Sequence, residues 1–252
     1  MQLPPFPGTS GRHDWRTAFD AVGKLLATPG DTVQVFRIMR ALNVRQGRYG
    51  VGRLLATLTG GQMLYRREEL ARKLAEPGYI QRFAPGTVGH AYARFLAENG
   101  FTPTGLEEIS REGASLIDEQ HPYAWYGRRV RDVHDIWHVL TGYRADETLG
   151  EACLVAFSYA QLRGLGWAFI GFMASLKSLR DTRTLAFARA VWEGYRNGRA
   201  AGWLPGEDYD ALFAEPLDAA RARLNIRRPV KYEAARQVID TRVELPGKAA
   251  AA

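Results

Sequence analysis

Apolar residues recur along this chain at the three-and-four spacing of helices, and no stretch shows the alternation of a half-buried strand. Between Trp15 and Leu26 they fall at Phe19, Val22, Leu25 and Leu26, and Pro29-Gly30 stops the run. Asp31 or Thr32 can cap a second helix carrying Val33, Val35, Phe36, Met39 and Leu42. The spacing predicts a helix from Gly52 to Leu58 ended by Gly60-Gly61, then one from Met63 to Leu74 with a charged outer face. Pro77-Gly78 and Pro85-Gly86 mark a loop, Thr87 to Leu96 is helical until Gly100, and Pro103-Thr104 starts a short helix to about Arg111. Val130 to Leu140 reads as one helix, closed by Gly142 as a C-cap, and Asp146 or Glu147 opens the next. Further helices reach Leu179 and cover 181–197. A turn at Gly202-Trp203-Leu204-Pro205 precedes short helices at Asp208–Phe213 and Pro216–Leu224.

The expected fold is therefore all-α, a single irregular multi-helix bundle over residues 1–246 with its core at about 15–235 and a disordered alanine-ended tail at 247–252. Ala152 to Leu176 is apolar enough to raise the question of a membrane span. Gln161 and Arg163 sit in its middle, and Gly164, Gly166 and Gly171 break it, so buried helices are expected instead. Those glycines predict close helix packing, or room for a long apolar ligand between helices.

Composition narrows the classes. Hydrophobic content of 46% and charged content of 24% are those of an ordinary globular protein. The formal charge of +7, carried mainly by arginine, suits nucleic acid, acidic lipid or anionic substrates. No basic stripe with interleaved aromatics stands out, which argues against nucleic acid. The single cysteine, Cys153, excludes an intramolecular disulfide and a multi-cysteine zinc site. The first residues lack a secretory or transit pattern, so a cytoplasmic protein is expected.

The chemistry concentrates in Asp132-Val-His134-Asp135-Ile-Trp-His138, followed by Glu151. At about 100° per residue, His134 and His138 share one helix face. If the chain runs back antiparallel after Gly142, Glu151 returns to the level of His138, placing a metal site between two antiparallel helices. Imidazole and carboxylate donors suit zinc, iron or manganese. Asp135 can ligate directly, hold a histidine tautomer, or act as a base on bound water. Two analogies share the pattern, a zincin motif with aspartate for glutamate and an HD-type metallophosphohydrolase with His121 or His90 as the missing histidine. Arg128, Arg129 and Arg131 just before the histidines read as a solvated face that can also draw an anionic head group towards the metal. Cys153 and His13-Asp14 read as core and helix entry.

The stretch Arg131-Asp-Val-His-Asp-Ile-Trp-His-Val-Leu-Thr-Gly-Tyr143, with Leu149-Gly150-Glu151, resembles the hallmark of the Coq4 family of coenzyme Q (ubiquinone) biosynthesis proteins. Pro85-Gly-Thr-Val-Gly-His-Ala-Tyr92, Trp203-Leu204-Pro205 and the Pro216-Leu217…Arg223-Leu224 region are also similar, so the resemblance spans roughly 30 to 235. Twelve residues separate His138 from Glu151 here, one more than in the family pattern. An extra residue in the loop at 144–146 preserves Glu151 as a ligand, whereas one within the helix would hand the role to Glu147. The resemblance implies an all-α protein peripheral to a membrane, with His134, Asp135, His138 and Glu151 around zinc or iron. It implies oxidative decarboxylation of a polyprenyl-hydroxybenzoate, with loss of the ring C1 carboxyl and hydroxylation there, Asp135 acting in catalysis and Arg131 and Tyr143 near the substrate. A non-catalytic polyprenyl-lipid-binding scaffold organising other ubiquinone biosynthesis proteins is the alternative, and either reading leaves room for a homo-oligomer.

Overall fold

The computed structural model describes residues 11–28, 30–105 and 121–243. Among them the chain forms fourteen α-helices and no strand, with one isolated bridge between Thr87 and Pro216. The first six are α1 (Trp15–Ala27), α2 (Thr32–Leu42), α3 (Gln46–Leu55), α4 (Leu58–Arg66), α5 (Leu70–Leu74) and α6 (Val88–Asn99). After the break come α7 (Pro122–Asp132), α8 (His134–Thr141), α9 (Thr148–Leu162), α10 (Leu165–Thr182) and α11 (Ala186–Ala200). Finally α12 (Tyr209–Ala214), α13 (Leu217–Arg223) and α14 (Val230–Val243) close the chain. The helix expected from Pro103 to about Arg111 lies outside the described residues beyond position 105, as does the tail at 247–252.

Polar caps fix the entries. The Asp14 carboxylate accepts from the Thr17 amide at 3.0 Å, so His13-Asp14 is a helix entry as expected, and Asp31 caps α2. Gly60-Gly61 does not end a helix. Thr57 caps α4 by accepting from the Gly60 amide at 3.1 Å, and a Cβ on Gly60 would stand 2.3 Å from the Leu54 carbonyl. The glycine thus serves the tight α3–α4 junction from inside the first turn. No helix is expected from the sequence over α14, where Tyr232 and Ala235 are buried among the described side chains.

The centre is α9, buried on nearly every side from Leu149 to Leu162. It runs along α11, where Gln161 donates to the Gly198 carbonyl at 2.7 Å, and along α10, which returns after a left-handed Arg163 (φ 57°). The apolar stretch from Ala152 to Leu176 is thus two helices, and no helix among the described residues is long and apolar enough to cross a membrane. Gly164 and Gly166 are spent on close approach, since Cβ atoms there would lie 2.4 Å from Gln46 and 2.9 Å from Asn43. Gly171 sits at ordinary contact with Val191.

At the start of α9 the backbone of Arg144 crosses directly over Gly150, where a Cβ would fall 2.0 Å from the Arg144 carbonyl oxygen. That crossing sets how Glu151 is presented. Gly150→Ala is expected to cost about 1–3 kcal/mol through overpacking against backbone, read as a drop in melting temperature of several degrees by calorimetry, whereas the exposed Gly52→Ala should not lower it.

Candidate metal centre

The histidine segment is two helices, not one. Val133 ends α7 and starts α8 with φ −87° and ψ −6°, so the predicted run from Val130 to Leu140 breaks in front of His134. The far face of α8 is held rigidly. Trp137 is buried and donates to the Tyr209 hydroxyl at 2.8 Å, which donates to the Leu204 carbonyl at 3.1 Å. At its C-terminus Gly142 takes φ 77°, and Arg221 of α13 donates to the Val139 and Leu140 carbonyls at 3.0 and 2.9 Å. A guanidinium there complements the negative end of the helix.

With α8 fixed, one ligating atom from each of His134, His138 and Glu151 comes within 4.8 Å of the other two. Glu151 lies 3.5 Å from Nε2 of His134 and 3.2 Å from Nε2 of His138, and the two imidazoles stand edge to face at 4.9 Å. Nδ1 of His138 is 2.8 Å from the Tyr143 carbonyl oxygen. A carbonyl only accepts, so Nδ1 carries the hydrogen and Nε2 is the ring atom left to face the site. That buried Nε2 has no hydrogen-bond partner despite the nearby carboxylate. With the ring neutral, two acceptors face each other across 3.2 Å, and a metal ion between them would satisfy both where a proton otherwise does. The donor set fits a divalent metal.

Electrostatics agree. Burial would lower the His134 pKa, but the Glu151 carboxylate and Asp135 outweigh it and hold the imidazole above its usual range. Burial would raise Glu151, yet His138 and His134 hold it far below the ordinary carboxylate range. The site also opens on one side. The His138 side chain is fully buried and His134 is 18% accessible, while Glu151 keeps 41% of its side-chain surface.

The other predicted residues fall elsewhere. Asp135 is buried and does not join the converging group, because one residue along the helix turns it by about 100°. Burial raises its carboxyl pKa, with His134 and His138 opposing, and it adds to the burial that pushes up the Tyr92 phenol of α6. The Arg131 guanidinium is tied to Asp132 at 2.7 Å, and Asp132 also accepts from the Ala71 amide at 3.2 Å. Tyr143 turns its ring into the core against Tyr232 and offers the site its carbonyl instead. Glu147 is held by Tyr232 and by Arg236 at 2.8 Å. Glu151, and not Glu147, is thus the carboxylate that converges with the two histidines. His121 caps α7 by accepting from the Tyr123 amide at 3.1 Å, and neither it nor His90 belongs to the group. The solvated arginine face is corrected in part. Arg129 is buried and donates to the Pro205 and Glu207 carbonyls, and Arg128 forks onto Glu69, since both lie on the side of α7 that packs inward.

Sequence reasoning missed the walls. Phe95 of α6 stacks on His138 at 5.7 Å and 16°. Trp167 of α10 lies parallel to His134 at 6.5 Å and 17°, and its indole donates to Gln46 at 2.8 Å. No local spacing signals such contacts, although Gly164 and Gly166 mark where α10 closes on α2 and α3.

A fold of short helices with a two-histidine, one-glutamate cluster between α8 and the start of α9 defines an all-α protein with a candidate metal centre. The chain matches the family described as coenzyme Q (ubiquinone) biosynthesis protein Coq4 over residues 28–230, and it belongs to that family. It is 28% identical over 174 residues to the mitochondrial ubiquinone biosynthesis protein COQ4 homolog of Rattus norvegicus, covering 69% of this chain and 63% of that protein. With the Danio rerio homolog it shares 30% identity over 174 residues, covering 68% and 60%. The match thus spans about three-fifths of these relatives' length. A crystal structure of a putative ubiquinone biosynthesis protein from Nostoc punctiforme superposes with a TM-score of 0.62 at 22% identity, covering 85% of this chain and 99% of that one, and shares the fold.

The pKa shifts give a signature in metal-free protein. His134 is raised, so its contribution to stability is complete below the unfolded value of 6.5 and fades as pH rises through the higher folded value. Glu151 is lowered, so its contribution is complete above the unfolded value of 4.5 and fades as pH falls. With chelator present, the melting temperature lost by Glu151→Gln should be greatest at about pH 5–6.5 and shrink on both sides, as a pH series of thermal melts would show.

Proposed function

We propose that this protein is a metal-dependent enzyme of ubiquinone biosynthesis that oxidatively decarboxylates a polyprenyl-hydroxybenzoate. The observation that carries the reading is the unpartnered Nε2 of His138 facing the Glu151 carboxylate beside His134, at a place where Glu151 and, less so, His134 meet solvent. Three protein ligands with one open position characterise catalytic rather than structural sites. His134, His138 and Glu151 would hold zinc or iron, which supplies Lewis acidity towards a substrate oxygen and, for iron, redox chemistry. In the net reaction the ring carbon loses its carboxyl as carbon dioxide and gains a hydroxyl whose oxygen comes from water, and two electrons and two protons pass to a two-electron acceptor from outside the chain.

The chain's own residues orient this chemistry. Tyr143 fixes the His138 tautomer through its carbonyl, Phe95 and Trp167 back the two imidazoles, and burial raises the carboxyl of Asp135 against the opposing pull of both histidines. Asp135 is proposed as an acid–base group rather than a ligand. The isoprenoid tail, a location peripheral to the inner face of a membrane, and other pathway proteins as partners belong to the same proposal.

Metal content by mass spectrometry, followed by turnover of a prenylated hydroxybenzoate, tests it. Near-stoichiometric metal in the wild type, affinity reduced more than about hundredfold in His134→Ala, and carbon dioxide released only by metal-loaded wild type are expected. Bound metal without turnover of any such substrate would contradict the enzyme and favour a lipid-binding scaffold. Asp135→Asn should retain metal but lose turnover, and loss of metal in that variant would restore Asp135 as a ligand.

A further inference from the structure

Between Thr32 and Arg67 the chain has seven arginines (37, 40, 45, 48, 53, 66 and 67) and no aspartate or glutamate. The 27 other basic residues are balanced by the 27 acidic ones, so this segment carries the whole formal charge of +7. It folds as α2, α3 and α4. On α3 the buried side is Gln46, Gly50, Val51 and Leu54, and helical spacing sets Arg45, Arg48 and Leu55 together on the outside. On α4, Gly60 and Leu64 face inward while Leu58 and Tyr65 point out, 83% and 90% accessible, with Arg66 beside them. A shallow groove at the α3–α4 junction runs among these apolar side chains. Arg53 lies over Trp203 at 4.5 Å, and Arg163 adds a further exposed cation over Tyr49 at 5.0 Å. Arg37 pairs with Asp20, whereas Arg45, Arg48, Arg53 and Arg66 form no ion pair among the described residues.

We infer that the outer face of α3 and α4 docks on an anionic lipid bilayer. Stable attachment to a bilayer takes two signals, apolar side chains that enter the acyl boundary and cations at headgroup level, and this face presents both. Leu55 and Leu58 would enter the boundary, Tyr65 would sit at the interface, and Arg45, Arg48 and Arg66 would meet the phosphates. Nucleic acid would satisfy the arginines but give nothing to exposed leucines. An acidic protein would have to match cations spread over several helices, whereas a lipid surface is continuously negative and fluid. The exposed Phe172 and Leu176 of α10 form a second apolar face, but with Asp181 set against Lys177 and Arg180 its net charge over residues 165–183 is +2, against +5 over residues 45–67. The inference deepens the membrane location proposed above and does not depend on the metal.

Flotation of the purified protein with phosphatidylcholine vesicles, with and without phosphatidylglycerol, decides it. Wild type should bind the anionic vesicles at least about tenfold more tightly than the neutral ones and release them at high salt. Arg45→Glu/Arg48→Glu and Leu58→Glu/Tyr65→Glu should each weaken binding at least about tenfold at unchanged melting temperature. Phe172→Glu/Leu176→Glu should leave binding intact. Wild type that ignores both kinds of vesicle would remove the membrane location itself, including when it binds DNA or an acidic protein instead. Wild type that binds while the α3 and α4 variants bind equally, or while only the α10 variant fails, would overturn this face alone.

Discussion

The hydrogen bond from Nδ1 of His138 to the Tyr143 carbonyl governs the site. It spans five residues, from a helix to the strandless loop that leaves it, at 2.8 Å and out of water. Because the carbonyl can only accept, the bond puts the hydrogen on Nδ1 and leaves Nε2 as the ring atom that faces Glu151. It also requires the chain to turn back at once, which Gly142 allows at φ 77° and Arg221 supports from α13. The same loop then crosses over Gly150, where only a hydrogen fits, and delivers Glu151 to the level of the histidines. Helix cap, loop and glycine crossing are one device whose product is a pair of acceptors with room for a cation.

Much of this was legible in the sequence. Four-residue spacing put His134 and His138 on one face, and the glycine cap pointed to a turn after which Glu151 comes back to them. The loop is one residue longer than the family pattern, and of the two acids at its end Glu147 is occupied by Tyr232 and Arg236 while Glu151 meets the histidines. Asp135 shows the limit of adjacency. Proximity in sequence suggested a ligand, but a turn of about 100° sends its carboxyl away from the cluster into a buried position.

What the sequence concealed was long-range. The stacks of Phe95 on His138 and Trp167 on His134 join residues 43 and 33 positions apart, and no local pattern announces such pairs. Arg129 looked solvated because charge usually is, yet it serves two backbone carbonyls between α7 and the 205–207 turn. Gly60-Gly61 looked like a stop and is instead a tight start. A single helix, α3, ties the chemistry to the surface. Its inner side sends Gln46 to Trp167 behind His134, and its outer side holds Arg45 and Arg48. The charged face thus lies on the outer side of a helix whose inner side reaches the wall of the cluster through Trp167.

The most direct test of the account is anomalous diffraction from crystals grown with zinc or ferrous iron. One metal peak is expected within about 2.0–2.2 Å of Nε2 of His134, Nε2 of His138 and a carboxylate oxygen of Glu151, with at least one remaining position taken by solvent. No peak at that point, or a peak whose coordination the protein fills completely, would contradict an open catalytic metal centre.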